Sequence, residues 1–217
     1  MEKDTDSNPI DLENIDISSN EGNTKLNNVM IKNFLYKYAN FSKTKYISIQ
    51  TEFEKIDAAK LLFEKADFSS LDTLEIESVA NDELLEALFF SSNKNKFPML
   101  KSLNLKYNNI TSRGLEVIKE ASLVKKLATL ENLYLDYNEI GNIGLNEILQ
   151  SNMPKLKVLS LKYTGIDTDG VNEYILNKFN KDKNFPNLKK LLIDKNNNID
   201  SKRYDDLKIK YKNIEFK

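Results

Sequence analysis

The side chains that most often perform chemistry in proteins are missing from this sequence. Its 217 residues include no histidine and no cysteine. This excludes Ser-His and Cys-His nucleophilic pairs, thiolate zinc sites and disulfides. The sequence also has neither a G-x-x-x-x-G-K phosphate loop nor a G-x-G-x-x-G dinucleotide fingerprint. We therefore expect a chain that is not an enzyme and that needs no cofactor.

One segment has the oxygen-ligand spacing of a calcium-binding loop. It runs from Asp194 to Asp205, with Asp or Asn at the first, third, fifth and seventh positions and Asp at the twelfth. Its sixth position is Ile199, where such a loop needs glycine for a sharp turn. The run beginning at Asp167 is weaker still, because Asp is favoured as a helix cap after a loop. We predict that the chain binds no metal.

A leucine frame, L-x-x-L-x-L-x-x-N, accounts for much of the sequence. It recurs at a period of about thirty residues, which indicates stacked units that bury their apolar faces against one another. Four stretches follow it closely: Leu100 to Asn108, Leu130 to Asn138, Leu156 to Thr164, and Leu188 to Asn196. Two weaker copies precede them, with Glu52 and Val79 in the asparagine position.

Each copy predicts a short strand followed by a helix. The alternation of Leu103 with Leu105, and of Leu133 with Leu135, places these residues on the buried side of strands. An apolar-periodic stretch beginning near Gly114 or Gly144 then indicates a helix. The asparagines can satisfy backbone groups that turn out of the sheet. Each Phe-Pro or Met-Pro pair before a strand predicts a helix stop and a core plug: Phe97-Pro98, Met153-Pro154 and Phe185-Pro186.

The repeat divides the chain into three predicted regions. Residues 1–25 are polar and acidic and predict a disordered tail. Residues 26–43 predict an amphipathic helix that caps the first repeat. Residues 44–217 predict about five to six repeats, closed by a C-terminal half-repeat.

The unit resembles the ribonuclease-inhibitor-like class of leucine-rich repeats. The residues that carry the resemblance are those after each strand: Asn108-Asn-Ile110 leading to Gly114, and Asn138-Glu-Ile140 leading to Gly144. The resemblance implies an α/β fold, a right-handed horseshoe-shaped solenoid with parallel strands on the concave face and helices on the convex face. It also implies that the chain holds a protein partner on the concave face.

Charge and hydropathy limit the classes of partner and the cellular location that we expect for the chain. The 32 basic and 33 acidic residues nearly cancel, so no overall field attracts nucleic acid. The amino terminus is acidic rather than signal-like, and no apolar run reaches the length of a membrane span. We expect a cytoplasmic monomer that does not insert into membranes. The lysine and asparagine usage is also similar to that of leucine-rich-repeat effectors that intracellular bacteria inject into host cells, so export without a signal peptide is an alternative.

Outward-facing positions at the strand ends are the candidate binding site. One row alternates in charge, which fits either cross-strand ion pairs or recognition of a partner; this charge column contains Glu77, Lys106, Asp136, Lys162 and Asp194. The next position holds tyrosine in three repeats, which either shields the strand ends or forms a binding hot spot. The predicted partner-binding residues are Asn104, Lys106, Tyr107, Tyr134, Asp136, Tyr137, Ser160, Lys162, Tyr163 and Leu192.

The leading function is therefore a non-catalytic module that binds a protein partner. The alternative is regulation of a small GTPase. It rests on the resemblance, because Ran GTPase-activating proteins share this repeat class, and on Arg113 in a loop after a strand.

Overall fold

Eight parallel strands form one sheet in which the strands follow one another in chain order. The computed structural model describes residues 23–26, 43–50, 56–91, 97–193 and 199–216. The strands are β1 (Asn23–Leu26), β2 (Tyr46–Gln50), β3 (Thr73–Glu77), β4 (Ser102–Asn104), β5 (Asn132–Tyr134), β6 (Val158–Ser160), β7 (Lys190–Leu192) and β8 (Glu215–Phe216).

Helices connect most of these strands. They are α1 (Ile56–Lys65), α2 (Asp82–Phe90), α3 (Ser112–Leu123), α4 (Gly141–Leu149), α5 (Thr168–Gly170, continuing as a π-helix over Val171–Leu176), α6 (Lys181–Asn184) and α7 (Ser201–Lys210). Neighbouring helices pack on one another, as neighbouring strands do. The result is an α/β fold with a parallel sheet, as the leucine frame predicts.

The register of the sheet stacks the frame leucines into one core. Leu103 lies opposite Leu133, and Leu133 lies opposite Leu159. All three are fully buried, in the same hydrophobic cluster as the helix residues Leu115 and Leu145. The strand residues between the leucines point the other way and are mostly half-buried. We call the side of the sheet that carries them the open face.

The residues before each strand form a repeating turn. The amide of Leu100 donates to the carbonyl of Phe97 at 3.3 Å, and the amide of Leu156 donates to that of Met153 at 3.0 Å. Phe97 and Met153 are buried, as is Phe185 in the corresponding turn. The prediction that these three side chains plug the core is confirmed.

Buried asparagines tie each repeat to the one before it. The side chain of Asn108 accepts from the amides of Val79 and Ala80 and donates to the carbonyl of Ile76, all in the preceding repeat. Asn138 makes the corresponding contacts one repeat later. Thr164 takes the same position with a hydroxyl that donates to its own repeat. The predicted role of this position is confirmed in these three repeats.

Small helix-start residues let adjacent repeats approach. A Cβ on Gly144 would lie 2.4 Å from a methyl carbon of Ile140 and 3.2 Å from the Cα of Ser112. A Cβ on Gly170 would lie 2.1 Å from the side-chain oxygen of Asn142. A larger residue at Gly144 would press on the backbone of Ser112, and one at Gly170 would displace the Asn142 side chain.

The first strand modifies the predicted boundary of the tail. Residues 23–25 fall in the region predicted as tail, yet Asn23–Leu26 pairs in parallel with β2. A sheet edge offers unpaired backbone groups to which even a polar segment can add. The rest of the tail and residues 27–42 of the predicted capping helix lie outside the described residues, as do Glu52 and residues 194–198.

Candidate protein-binding site

The tyrosine rim, Tyr107, Tyr137 and Tyr163, follows three neighbouring strands. The turn that ends each strand places its tyrosine at a positive φ, of 55°, 58° and 53° respectively. The amide of Tyr107 donates to the carbonyl of Asp136, and that of Tyr137 donates to the carbonyl of Lys162. These bonds between repeats fix the turns. A bulky side chain at positive φ is uncommon, because its Cβ approaches the backbone carbonyl.

The three rings form a continuous stack. Adjacent ring centroids are 4.4 Å apart with interplanar angles of 15° in both pairs. The rings remain accessible, with exposed fractions of 51% for Tyr107, 41% for Tyr137 and 38% for Tyr163. The rim is therefore both a packed structure and an aromatic surface open to a partner.

The neighbouring tyrosines change the pKa of the Tyr137 hydroxyl, the central one of the rim. The pKa of Tyr137 is raised above its usual value, first because the flanking groups desolvate the hydroxyl and then through its interactions with the hydroxyls of Tyr163 and Tyr107. Packing thus favours the protonated phenol, which can donate a hydrogen bond to a partner.

This shift gives a testable pH dependence. Because the pKa of Tyr137 is higher in the folded than in the unfolded protein, its protonated hydroxyl stabilises the fold at pH values below the usual tyrosine pKa, near 10.0. This contribution to the free energy of unfolding is lost as the pH rises through the folded-state pKa. We expect the tyrosinate absorbance attributed to Tyr137, taken as the difference between wild type and Tyr137→Phe, to appear above the usual range. In a Tyr107→Phe/Tyr163→Phe background, which removes the neighbouring hydroxyls, the midpoint pH of the Tyr137 titration should be lower. An unchanged midpoint would contradict the coupling.

The carboxylate of Asp136 is occupied inside the protein. It accepts from the amide of Lys162 at 2.8 Å and from the hydroxyl of Ser160, and it pairs with the ammonium of Lys106 at 3.1 Å. Asp136 is only 4% exposed and Ser160 only 1% exposed. The prediction that these two residues lie exposed for a partner is therefore corrected. Side chains on adjacent parallel strands lie close enough to satisfy one another.

The other predicted residues lie around this cluster on the open face. The ammonium of Lys106 lies 4.7 Å from the ring centre of Tyr134, a cation–π contact. Asn104 accepts from the amide of Lys106 at 3.2 Å. Lys162 is half-buried, and Leu192 is half-buried on β7, in register with Ser160. The Lys106–Asp136 pair supports the ion-pair interpretation of the charge column at this point.

Two features of the site were missed from the sequence. Ser78 occupies the rim position of the preceding repeat, also at positive φ, of 65°. The frame signals it, since Ser78 aligns with Tyr107. The hydroxyl of Tyr46 donates to the carboxylate of Glu75 at 2.7 Å, which extends the polar network of the open face onto β2 and β3.

Residues considered for chemistry have structural partners. Arg113 lies in the first turn of α3 rather than in a loop, and its guanidinium pairs with Glu86 at 2.8 Å. Asp167 caps α5, and its pKa is lowered chiefly by a hydrogen bond from Asn142. The side chain of Asp200 likewise caps α7. Within the described ranges, acidic side chains form no group that could hold a metal ion, and no helix is long and apolar enough to cross a membrane.

Comparison with known proteins bears on the fold. No curated protein matches the chain. A chain from the crystal structure of the Rad7 and Elc1 complex in yeast is similar, at 18% identity and a TM-score of 0.33; the match covers 88% of this chain and 57% of that one. Residues 98–119, which include β4 and Tyr107, match the family model described as Leucine Rich repeat. This stretch of the chain is therefore similar to a leucine-rich repeat.

Proposed function

We propose that this chain is a non-catalytic protein-binding module whose partner contacts the tyrosine rim and the adjoining open face. The observation that carries the proposal is the rim itself, three exposed stacked tyrosines that all have left-handed backbones. Tyrosine is enriched in binding hot spots because it presents a large rigid area with a polar tip.

Backbone requirements do not explain the choice of tyrosine. A left-handed residue with a side chain costs about 1–2 kcal/mol, which glycine avoids. The chain uses glycine at positive φ elsewhere, at Gly141 and Gly165. Two stacked ring pairs return about 0.5–1.5 kcal/mol each, so stacking offsets only part of the strain at the three positions. A contact made by the exposed ring area supplies a reason to keep all three rings.

The resemblance to ribonuclease-inhibitor-like repeats completes the proposal. The sheet would curve as a horseshoe with the open face concave, so that a monomer surrounds part of its partner. GTPase regulation gains no support, because Arg113 is paired along the helix surface. Export as an effector stays a prediction.

The test is a rim variant designed to fold. Tyr107→Asn/Tyr137→Asn/Tyr163→Asn removes the rings but places asparagine, which tolerates the left-handed region, at each strained position. We expect this variant to keep its circular dichroism spectrum and to lose partners that wild type captures from cell extracts and retains after crosslinking.

A matched control removes three exposed apolar side chains from the helix side. Val124→Asn/Ile143→Asn/Ile209→Asn changes residues that are at least as exposed as the rim tyrosines. It should capture the same partners as wild type. If the folded rim variant retains every partner, the rim is not the binding site.

A further inference from the structure

Of the two rings that end the described stack, Tyr107 is the more exposed. Tyr137 has a ring on each side, so its 41% exposure comes from its edge, whereas Tyr107 has one neighbouring ring and is 51% exposed. Tyr163, at the other end, is only 38% exposed. Tyr107 is therefore the most accessible ring of the stack, and within the described residues only Tyr137 stacks on it.

Ser78 creates a vacant position beside that face. Its amide donates to the carbonyl of Tyr107 at 3.1 Å, and its φ of 65° matches those of the rim tyrosines. The backbone thus continues the rim by one repeat, but a serine side chain is too short to cover an aromatic ring. We call the position over Ser78 and beside the Tyr107 ring the end slot.

The repeat that contains the end slot is acidic. Residues 66–91 contain seven Asp or Glu residues and no Lys or Arg, in a chain with 32 basic residues. Three of these carboxylates are paired with cations from neighbouring repeats, at Asp72, Glu83 and Glu86. Glu75 is half-buried on the open face and accepts from the hydroxyl of Tyr46 at 2.7 Å, a contact that brings no cation to it. The repeat that supplies Ser78 therefore carries more acidic than basic side chains.

We propose that the end slot takes an arginine guanidinium from a basic segment of the partner protein, a step that rests on the proposed function. A guanidinium is flat, stacks on an aromatic face and is attracted by the negative ring face and by the acidic character of residues 66–91. A neutral aromatic side chain gains only the stacking. A second copy of this chain is a poor source, because Arg113 is paired with Glu86 and Arg203 with Asp206.

The proposal can be tested with charge-matched peptides. Acetylated Lys-Gly-Arg-Gly-Lys amide and Lys-Gly-Lys-Gly-Lys amide carry equal charge and differ in one cation. With the full chain labelled at tyrosine, we expect the arginine peptide to shift the Tyr107 ring resonances in nuclear magnetic resonance spectra and to bind about fivefold more tightly than the lysine peptide. Equal affinity, or shifts that spare Tyr107, would overturn the proposal.

Two substitutions at Ser78 separate the slot from the rim. Ser78→Tyr fills the slot from within and should abolish arginine-peptide binding, while Ser78→Gly leaves the slot open and should bind as wild type does. Should Ser78→Tyr fail to fold, Tyr107→Asn removes the slot's wall and should give the same loss. Retention of peptide binding by a folded variant of either kind would contradict the slot.

Partner capture distinguishes this inference from the proposed function. If Ser78→Tyr keeps the partner and the triple asparagine rim variant loses it, the slot is wrong and the rim stands. If both variants lose the partner, both proposals are supported. If the rim variant keeps the partner, the proposed function fails whatever the peptides do.

Discussion

Replacing Asn138 with alanine is expected to lower the free energy of unfolding by about 3–5 kcal/mol. The side chain accepts from the amide of Ile110 at 3.0 Å and donates to the carbonyls of Leu105 at 2.8 Å and Leu135 at 2.9 Å, all in buried surroundings. Alanine leaves these groups without the amide, and each buried polar group left unsatisfied costs about 1–3 kcal/mol. Urea denaturation followed by circular dichroism would measure the fall in midpoint.

Two further substitutions test whether the donor or the acceptor group of the Asn138 side chain contributes more to stability. Asn138→Thr imitates Thr164, whose hydroxyl donates to the carbonyl of Leu161 at 2.7 Å, so it should cost less than alanine. Asn138→Asp sets a carboxylate against two carbonyls and should cost at least as much as alanine. If the aspartate variant matches wild type in stability, the donor role of Asn138 is wrong.

The sequence predicts the role of Asn138 well because the backbone groups that this side chain satisfies recur once in each repeat. Neighbouring repeats must satisfy similar backbone groups at the end of a strand, so a hydrogen-bonding side chain returns there at Asn108, Asn138 and Thr164. The leucine alternation is periodic for the same reason, and the alternation alone assigns Leu103, Leu133 and Leu159 to the core, where all three are fully buried. Requirements that recur in each repeat are visible in one sequence.

The site is less predictable because it depends on contacts between particular neighbours. Alternation places Asp136 and Ser160 on the open face, but their burial follows from the side chains that happen to flank them. The left-handed backbone of Tyr107 is set by the turn that ends the strand, and tyrosine gives no signal of it. The frame aligns Ser78 with Tyr107, but its residue type does not indicate that its backbone is left-handed like that of the tyrosines.

One substitution in the charge column tests whether its side chains stabilise the fold or contact a partner. Asp136→Ala is expected to destabilise the protein by about 3 kcal/mol, since breaking a buried ion pair by removing one partner costs about 3–5 kcal/mol and Lys106 in this pair is partly exposed. The loss also leaves the amide of Lys162 and the hydroxyl of Ser160 without their acceptor. Urea denaturation would measure the change.

Lysine variants identify the source of this effect. Lys162→Ala should change stability by less than about 0.5 kcal/mol, since Asp136 is contacted by the amide of that residue. Lys106→Met should cost less than Asp136→Ala, because the carboxylate keeps its other donors. A double-mutant cycle between Lys106 and Asp136 then gives their coupling energy.

The outcome decides where specificity can reside on the open face. If Asp136→Ala lowers the free energy of unfolding and a partner still binds the folded variant, the carboxylate stabilises the sheet and the partner contacts the tyrosine rim. If stability is unchanged and binding is lost, Asp136 faces the partner and the row of alternating charges is a recognition row. The buried carboxylate with three donors favours the first result, since a group already satisfied by its own protein has little left to offer another.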